Sequence, residues 1–354
     1  MVPADQPMRI DIIGRGLQGR VTALCCAHAG LGEIHLVDTG EPDVLPVVEL
    51  PPNATRILFA LGLRPGLDEI TYLPMSELYR TAATGYGLAY RPLGPFAEQR
   101  YGSTHVHCSI GTLSHLLDRA LANHGVTIHG ERFDWSDTAD VVLITAPGVA
   151  ANSGFPSATA SGVTQWQTAV AWDGQTGGPL LNWSDEGCYA RQIPVREGTC
   201  TVLVRDTPSA SERTVRRLNI LEDLTWQPVT QTPWYPDWCA DRHVLIGDAA
   251  HPLPPFGGQD FALALEDAWV ISRMLALQDD HLQTAMSEYQ RFRRPRALRV
   301  LAHLQTLAAG HKQRNPVRRL ANNWSLALRY RLLPELAMQR DDWQFEYDCV
   351  KGFD

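Results

Sequence analysis

Two turns in this chain put glycine where backbone alone could meet a charged ligand. The first is Gly14-Arg15-Gly16-Leu17-Gln18-Gly19. It follows the strand-like run Arg9–Ile13 and opens a predicted helix over Arg20–Ala29. In the spacing G-x-G-x-x-G, Gly14 permits a tight bend and Gly16 lets the backbone approach a pyrophosphate at the positive helix N-terminus. Gly19 allows close helix–strand packing. A second predicted strand, Glu33–Val37, ends at Asp38, 19 residues beyond Gly19, where a carboxylate can bind a ribose hydroxyl pair. The β-α-β context points to a dinucleotide without choosing between NAD and FAD. The alternative is a glycine-rich turn with no ligand.

The second turn lies in VLIGDAAHPLPPFGGQDFALALEDA, Val244–Ala268. A NAD dehydrogenase has no need of a second strand–Gly-Asp–helix unit so late in the chain. FAD is longer, and its ribityl chain and isoalloxazine need a cradle of their own. Gly247 would allow close approach, and Asp248 would accept a hydrogen bond from a ribityl hydroxyl. The loop Pro254–Gly258, with Pro255 and Gly257, would run along the ring. Gly258, Gln259 and Asp260 open the next helix, whose amides would face the N1–C2=O edge, which is negatively charged in reduced flavin.

The elements around these turns suggest an α/β fold with an α+β insert. Pro52–Leu61, Leu113–His124, Ser209–Leu224 and Gln259–Leu277 carry helical patterns, and Val126–His129, Val141–Thr145 and His243–Ile246 read as strands. Residues 65–108 read as irregular or β. Thr164–Arg205 alternates β-rich runs with glycine turns, which predicts an antiparallel sheet. The chain after Leu282 is helical in composition, with breaks expected at Pro295, Pro316 and Pro334. The predicted division is a discontinuous Rossmann-like FAD-binding domain (1–64, 105–160 and 239–288), a β-sheet substrate domain (65–104 and 161–238) and a C-terminal helical region (289–354).

Bulk properties narrow the function. The formal charge of −8 suggests neither a nucleic-acid nor a membrane partner. No apolar run approaches the ~20 residues that cross a bilayer, and no signal-peptide core precedes the first strand. Seven cysteines with no CxxC read as reduced, mostly buried thiols in a cytoplasmic protein.

GDAAHPLPPFGGQ followed by ALEDA resembles the Gly-Asp motif of group A flavoprotein monooxygenases, the p-hydroxybenzoate hydroxylase-like family. PPNATRILFALGL (Pro51–Leu63), TLSHLLDRALANHGVTI (Thr112–Ile128), YQRFRRPRALRV (Tyr289–Val300) and DDWQFEYD are similar to further family segments, so the resemblance covers most of the chain. It implies FAD, reduction by NADPH or NADH, oxygen activation as a flavin C4a-hydroperoxide, and hydroxylation or epoxidation of a small aromatic or heteroaromatic substrate. It names no catalytic acid or base.

Three departures bear on that implication. Where the family carries Asp-Gly after a mid-chain strand, this chain has Ala146-Pro147-Gly148. A family arginine that contacts FAD falls at Ile110, or at Ser109 if the register slips, and Thr39 follows Asp38 where the family often has arginine. Asp260 and Ala262 replace a glycine and an asparagine. Asp260 reads either as a helix N-cap or as a carboxylate opposing the anionic reduced flavin. These changes keep an alternative open: a flavoprotein-fold enzyme with altered or lost NAD(P)H-driven reduction, catalysing a non-redox rearrangement or cyclisation or using externally reduced flavin.

The other candidates are weaker. His251 reads as a loop organiser more than a base. Trp166, Trp172, Trp183 and Tyr189 could line a pocket or form core. His105 and His107 share a face, but no third metal ligand is evident nearby, so no metal is expected. Residues 289–331 hold eleven Arg/Lys and no Asp/Glu. That segment reads as a solvated helical surface, with docking of an acidic carrier protein as the minor alternative. No lysine precedes Lys312 and no W-x-W-x-I-P stretch occurs, which disfavours flavin halogenation. The oligomeric state is left open between monomer and dimer.

Overall fold

The computed structural model describes residues 7–41, 45–130, 138–150, 155, 163–170, 177–185, 187–205, 212–218, 224–225, 227–230, 234–253, 258–278, 281–311 and 315–353. Two large sheets organise them. The first has six strands, with Arg9–Ile13 between Glu33–Val37 and Val141–Ile144, and with His243–Leu245 beyond Val141–Ile144. These four strands pair in parallel, with Leu245 beside Ile144, Ile144 beside Ile13 and Ile13 beside Val37. Their C-terminal ends are therefore level. Gly14, Asp38, Thr145 and Ile246 leave the sheet along one edge, the position where open α/β sheets bind ligands.

The helix Leu17–His28 is buried on nearly every side, packed between Asp260–Leu277 and Ile110–Asn123. Its crossover closes through the Gly14 amide, which donates to Val37 O at 2.9 Å. The buried face of the sheet joins the helices in one core that includes Ile10, Ile12, Leu36, Leu143, Leu263 and Val270.

The second sheet has seven strands in the order Gln227–Thr230, Val163–Val170, Gly198–Arg205, Cys188–Val195, Leu180–Asp185, Ser76–Thr81 and Gly87–Pro92. It is not wholly antiparallel: Leu180–Ser184 pairs in parallel with Glu77–Thr81, because the two come from distant parts of the chain and no hairpin constrains them. A two-stranded ribbon, Val47–Leu50 with Val106–Ser109, is a further element.

Several local expectations need correction. Residues 65–108 contain the helices Arg64–Ile70 and Pro95–Tyr101, each opened by a proline in its first turn. Of the predicted helix Ser209–Leu224, Glu212–Arg217 is helical, and 209–211 and 219–223 lie outside the described residues. Pro295 does not break its helix, which runs from Leu282 to His311. Tertiary packing overrides the lost hydrogen bond there: Ala297, Val300 and Leu304 are buried, and Arg293 and Arg296 are held by buried carboxylates. Pro316 and Pro334 start helices, where a missing N–H costs nothing. The cysteines are free, and all but the half-buried Cys239 are buried.

Candidate functional site

The first glycine turn is shaped by contact. A Cβ on Gly19 would stand 1.6 Å from Gly14 O, so helix and turn approach as closely as glycine permits. Gly14 itself has φ of 113° and faces Thr145 and Ala146. Gly16 is the N-cap of Leu17–His28, and no side chain caps that end. The positive end of the helix dipole there favours an anion.

Asp38 lies at the same edge and is joined there by Arg15, whose Nη1 is 3.5 Å from Asp38 Oδ2. Arg15 and Arg20 also bind Asp118. The guanidinium absent from position 39 is therefore supplied next to Asp38 from inside the glycine turn. The only sequence signal for this was the arginine in the first variable position of that motif.

The second turn meets the first directly. Gln18 Nε2 donates to Asp248 Oδ2 at 2.7 Å, and the Asp248 amide donates to Gln18 Oε1 at 3.0 Å. Gly247 has φ of 58°, and a Cβ there would lie 2.2 Å from Gln18 Oε1. Burial above all, aided by Asp260 and Asp267 and opposed by His251 and Gln18, pushes the Asp248 carboxyl up to about 6.

The helix after this turn is held by buried charge. Asp267 accepts from the Gly247 amide at 3.1 Å, from His251 Nε2 at 2.6 Å and from Arg293 Nε at 2.7 Å. Glu266 accepts from Arg293, Arg296 and Asn53. Burial opposes ionisation of both carboxylates. Arg296 and Arg293 outweigh it at Glu266, and His251 and then Arg293 outweigh it at Asp267, so both groups are held below their ordinary range. This explains the pairing of ALEDA with RRPRA in the sequence, and it makes His251 an organiser of the loop.

Pro255 and Gly257 lie outside the described residues. Gly258 has φ of 61° and Gln259 is buried with its Nε2 unpartnered. Asp260 is the first residue of the helix Asp260–Leu277, whereas its N-cap is Gln259; the predicted N-cap assignment is off by one. Asp260 is exposed. Desolvation by the surrounding protein still raises its carboxyl pKa, against its bonds to the backbone of Phe261 and Asp260 and against Arg191.

Pro147 opens a one-turn helix, Pro147–Ala150. Ser109 caps the helix Ile110–Asn123 by accepting from the Thr112 amide at 3.2 Å, which places Ile110 at its first residue.

Next to Gly258 lies a buried polar cluster that the sequence did not reveal. Glu49 sits opposite His107 in the two-stranded ribbon, and a Cβ on Gly258 would be 3.1 Å from the Glu49 carboxyl. Arg191, from the second sheet, donates to Glu49 Oε2 at 2.5 Å. The Nε2 atoms of His105 and His107 stand 4.0 and 3.8 Å from the same oxygen. Glu49 is thus the third potential metal ligand that was missing from the sequence view. The Arg191 guanidinium already bound to its carboxylate disfavours a cation there.

The protonation pattern follows from geometry. His107 Nδ1 is 3.2 Å from Pro194 O, which can only accept, so Nδ1 carries the hydrogen. Burial, then Arg191, holds His107 down to about 3, so its Nε2 is a bare, unpartnered lone pair. Burial, aided by Glu77 and Asp260 and resisted by Arg191 and Arg91, pushes Glu49 up to about 7. Glu77 is held down to about 2 against its burial by Arg91 and Arg191.

Of the aromatic candidates, Trp183 packs with Ala82, Ala190 and Leu203 and is core. The Tyr189 hydroxyl donates to Asn182 Oδ1 at 2.5 Å, on the Arg191 face of its strand. Trp172 and the side chain of Trp166 lie outside the described residues.

Comparison with known proteins gives this geometry a context. A family profile described as an FAD binding domain matches residues 220–303. The chain is 34% identical to 3-amino-4-hydroxybenzoate 2-monooxygenase PtmB3 of Streptomyces platensis, over 86% of this chain and 88% of that protein. It is 24% identical to 6-hydroxynicotinate 3-monooxygenase of Bordetella bronchiseptica, over 84% and 91% of the two. Among solved structures, HpxO of Klebsiella pneumoniae complexed with FAD and uric acid superposes with a TM-score of 0.76 at 17% identity, covering 94% of this chain and 96% of that one. The chain belongs to the group A FAD-dependent aromatic monooxygenases.

Proposed function

We propose that FAD lies along the sheet edge and across both turns, and that a small aromatic substrate is hydroxylated against the polar wall formed by Glu49, His105, His107 and Arg191. Gly14, Gly16, Leu17, Gln18 and Gly19 hold the pyrophosphate, and Asp38 with Arg15 holds the ribose. Gly247 and Asp248 hold the ribityl chain. Pro255, Gly257, Gly258, Gln259 and Asp260 border the ring. Two features support the fit: Gly14, Gly19 and Gly247 let the two turns close on Thr145, Gly14 O and Gln18 as no side chain would, and buried Gln259 Nε2 lacks a partner. In domain terms, residues 1–64, 105–160 and 239–288 carry the cofactor, 65–104 and 161–238 the substrate sheet, and 289–354 the helical region.

FAD, reduced by NADPH or NADH, supplies the oxygen chemistry. This chain's residues orient the substrate and handle its proton. The observation that carries the reading is the bare Nε2 of His107 facing Glu49, beside the loop that opens the Asp260 helix. A buried lone pair demands a donor. A substrate hydroxyl or amino group meets that demand, with Glu49 poised to take the proton. The named substrates of the relatives carry such groups: a hydroxynicotinate and an aminohydroxybenzoate. Both relatives are named monooxygenases, which sets aside the non-redox rearrangement.

The test is the purified protein's visible spectrum, followed by anaerobic addition of NADPH or NADH with hydroxybenzoates or hydroxypyridines, and then labelled O₂. The expected result is a bound flavin, bleached by the nicotinamide, and one labelled oxygen atom in the product. A colourless protein that FAD cannot reconstitute overturns the cofactor assignment. A bound flavin with no labelled product from any hydroxylated or amino-substituted ring overturns the substrate assignment.

A further inference from the structure

The helix Pro316–Leu332 packs on the strand Gly87–Pro92 with Asn323, Leu326, Ala327 and Tyr330 turned inward. Its opposite face is apolar. Val317, Leu320, Trp324, Leu328 and Leu332 recur at spacings of three and four and are 55–73% exposed. A stripe of that period lies along one side of a helix, and here it is the side that meets solvent. Exposed Leu333 and Leu336 extend it past the helix end.

The flanks are basic. The helix carries Arg318, Arg319, Arg329 and Arg331 and no acidic residue. Among the described residues no carboxylate pairs with Arg318, Arg329 or Arg331. Beside the stripe is a cavity of about 350 Å³, lined in part by Tyr79, Arg80, Tyr86, Tyr90, Tyr330 and Arg331. Arg80 lies over the Trp183 ring and has no carboxylate partner among the described residues either.

We propose that this helix is a docking surface for an anionic lipid bilayer, lying in the interface with its leucines and Trp324 in the acyl boundary and its arginines at the headgroups. The combination of an outward Trp/Leu stripe with uncompensated arginines is what an interfacial helix requires. Charge argues against the other occupant of such a face, a second copy of this chain. A two-fold pairing through this helix would bring the arginines of both copies together, and like charges in a closing interface repel. The chain's overall charge of −8 does not oppose docking, because charges beyond a Debye length of ~8 Å are screened while the helix meets the surface directly. The cavity with Arg80 and Arg331 gives one anionic headgroup a place beside the stripe.

The experiment is co-sedimentation of the full FAD-loaded chain with vesicles of phosphatidylcholine alone or of phosphatidylcholine with phosphatidylglycerol. Binding is expected only with phosphatidylglycerol and lost at about 0.5 M salt, where screening is within a few Å. Each of Arg318→Gln and Arg329→Gln should weaken binding by about five-fold. Leu328→Glu, at an exposed position, should abolish binding while leaving the melting temperature and flavin content unchanged. Three results overturn the proposal: no binding to phosphatidylglycerol vesicles, equal binding to both vesicle types at any salt, or wild-type binding by Leu328→Glu. Light scattering that shows a dimer split by Leu328→Glu, without vesicle binding, assigns the face to a second copy instead.

Discussion

Gln18 and Asp248 stand 230 positions apart and hold each other in both directions, side chain to side chain at 2.7 Å and backbone amide to side chain at 3.0 Å. One residue of the first glycine turn thus sets the position of the Gly-Asp turn. Hydrogen bonds to a charged group contribute about 1.5–3 kcal/mol. Gln18→Ala should therefore weaken FAD binding by about ten-fold or more. Equilibrium dialysis of the flavin measures this; an affinity within two-fold of wild type would show that the pair does not support the cradle.

Gly19 and Gly111 offer a contrast between two glycines in helices. A Cβ at Gly19 would overlap Gly14 O, whereas one at Gly111 meets nothing within 4 Å. Gly19→Ala should yield protein without bound flavin or with a sharply lowered melting temperature. Gly111→Ala should stabilise the chain by about 0.4–1 kcal/mol, because it restricts the unfolded state at no steric cost. Thermal melts of the two variants distinguish packing from glycine content.

Asp260 borders the proposed position of the flavin ring. A carboxylate ~5 Å from a reduced-flavin charge, at an effective dielectric of ~20, repels it by roughly 3 kcal/mol. Asp260 is exposed, and solvent screening cuts that to roughly 1–2 kcal/mol, or about 20–40 mV for a two-electron couple. Asp260→Gly should raise the flavin potential by that amount and speed reduction by NAD(P)H. An unchanged potential would leave Asp260 with a purely structural place in the first helical turn.

Glu49 and Glu77 should give opposite pH dependences. Glu49 is raised to about 7, so the folded state holds its proton where the unfolded chain has released it. Its contribution to stability is complete below the ordinary carboxylate range and is lost as pH rises through about 7. Glu77 is depressed to about 2, so its contribution is present above the ordinary range and is lost as pH falls toward 2. Glu49→Gln keeps a hydrogen-bonding partner for Arg191 and should remove the transition near pH 7 from both the melting curve and the hydroxylation profile, leaving the acid limb. Persistence of the neutral transition in the variant would assign it to another group.

Much of the proposed cofactor side could be read in the sequence because its requirements are local. A β-α turn against a phosphate needs glycine for steric reasons, and Gly14, Gly16 and Gly19 meet that need within six residues. Gly247-Asp248 repeats the logic with a short strand before it and a helix after it. Glu266 and Asp267 next to Arg293 and Arg296 could be seen as motifs, but not as one charge network, because two helices must pack before those groups meet.

The proposed substrate wall was not legible. Glu49 lies in a four-residue strand too short to show a pattern, and its meeting with His107 depends on cross-strand register. Arg191 arrives from a different sheet.

By itself, the sequence determined the two glycine turns, the order of strands and helices around them, and the family, since each rests on steric needs within a few residues of one another. Only the tertiary structure decided which distant groups became neighbours: Gln18 with Asp248, Arg15 with Asp38, and Glu49 with His107 and Arg191. It also decided which face of Pro316–Leu332 meets solvent. Periodicity shows that a helix has an apolar side, but only packing shows whether the protein covers it.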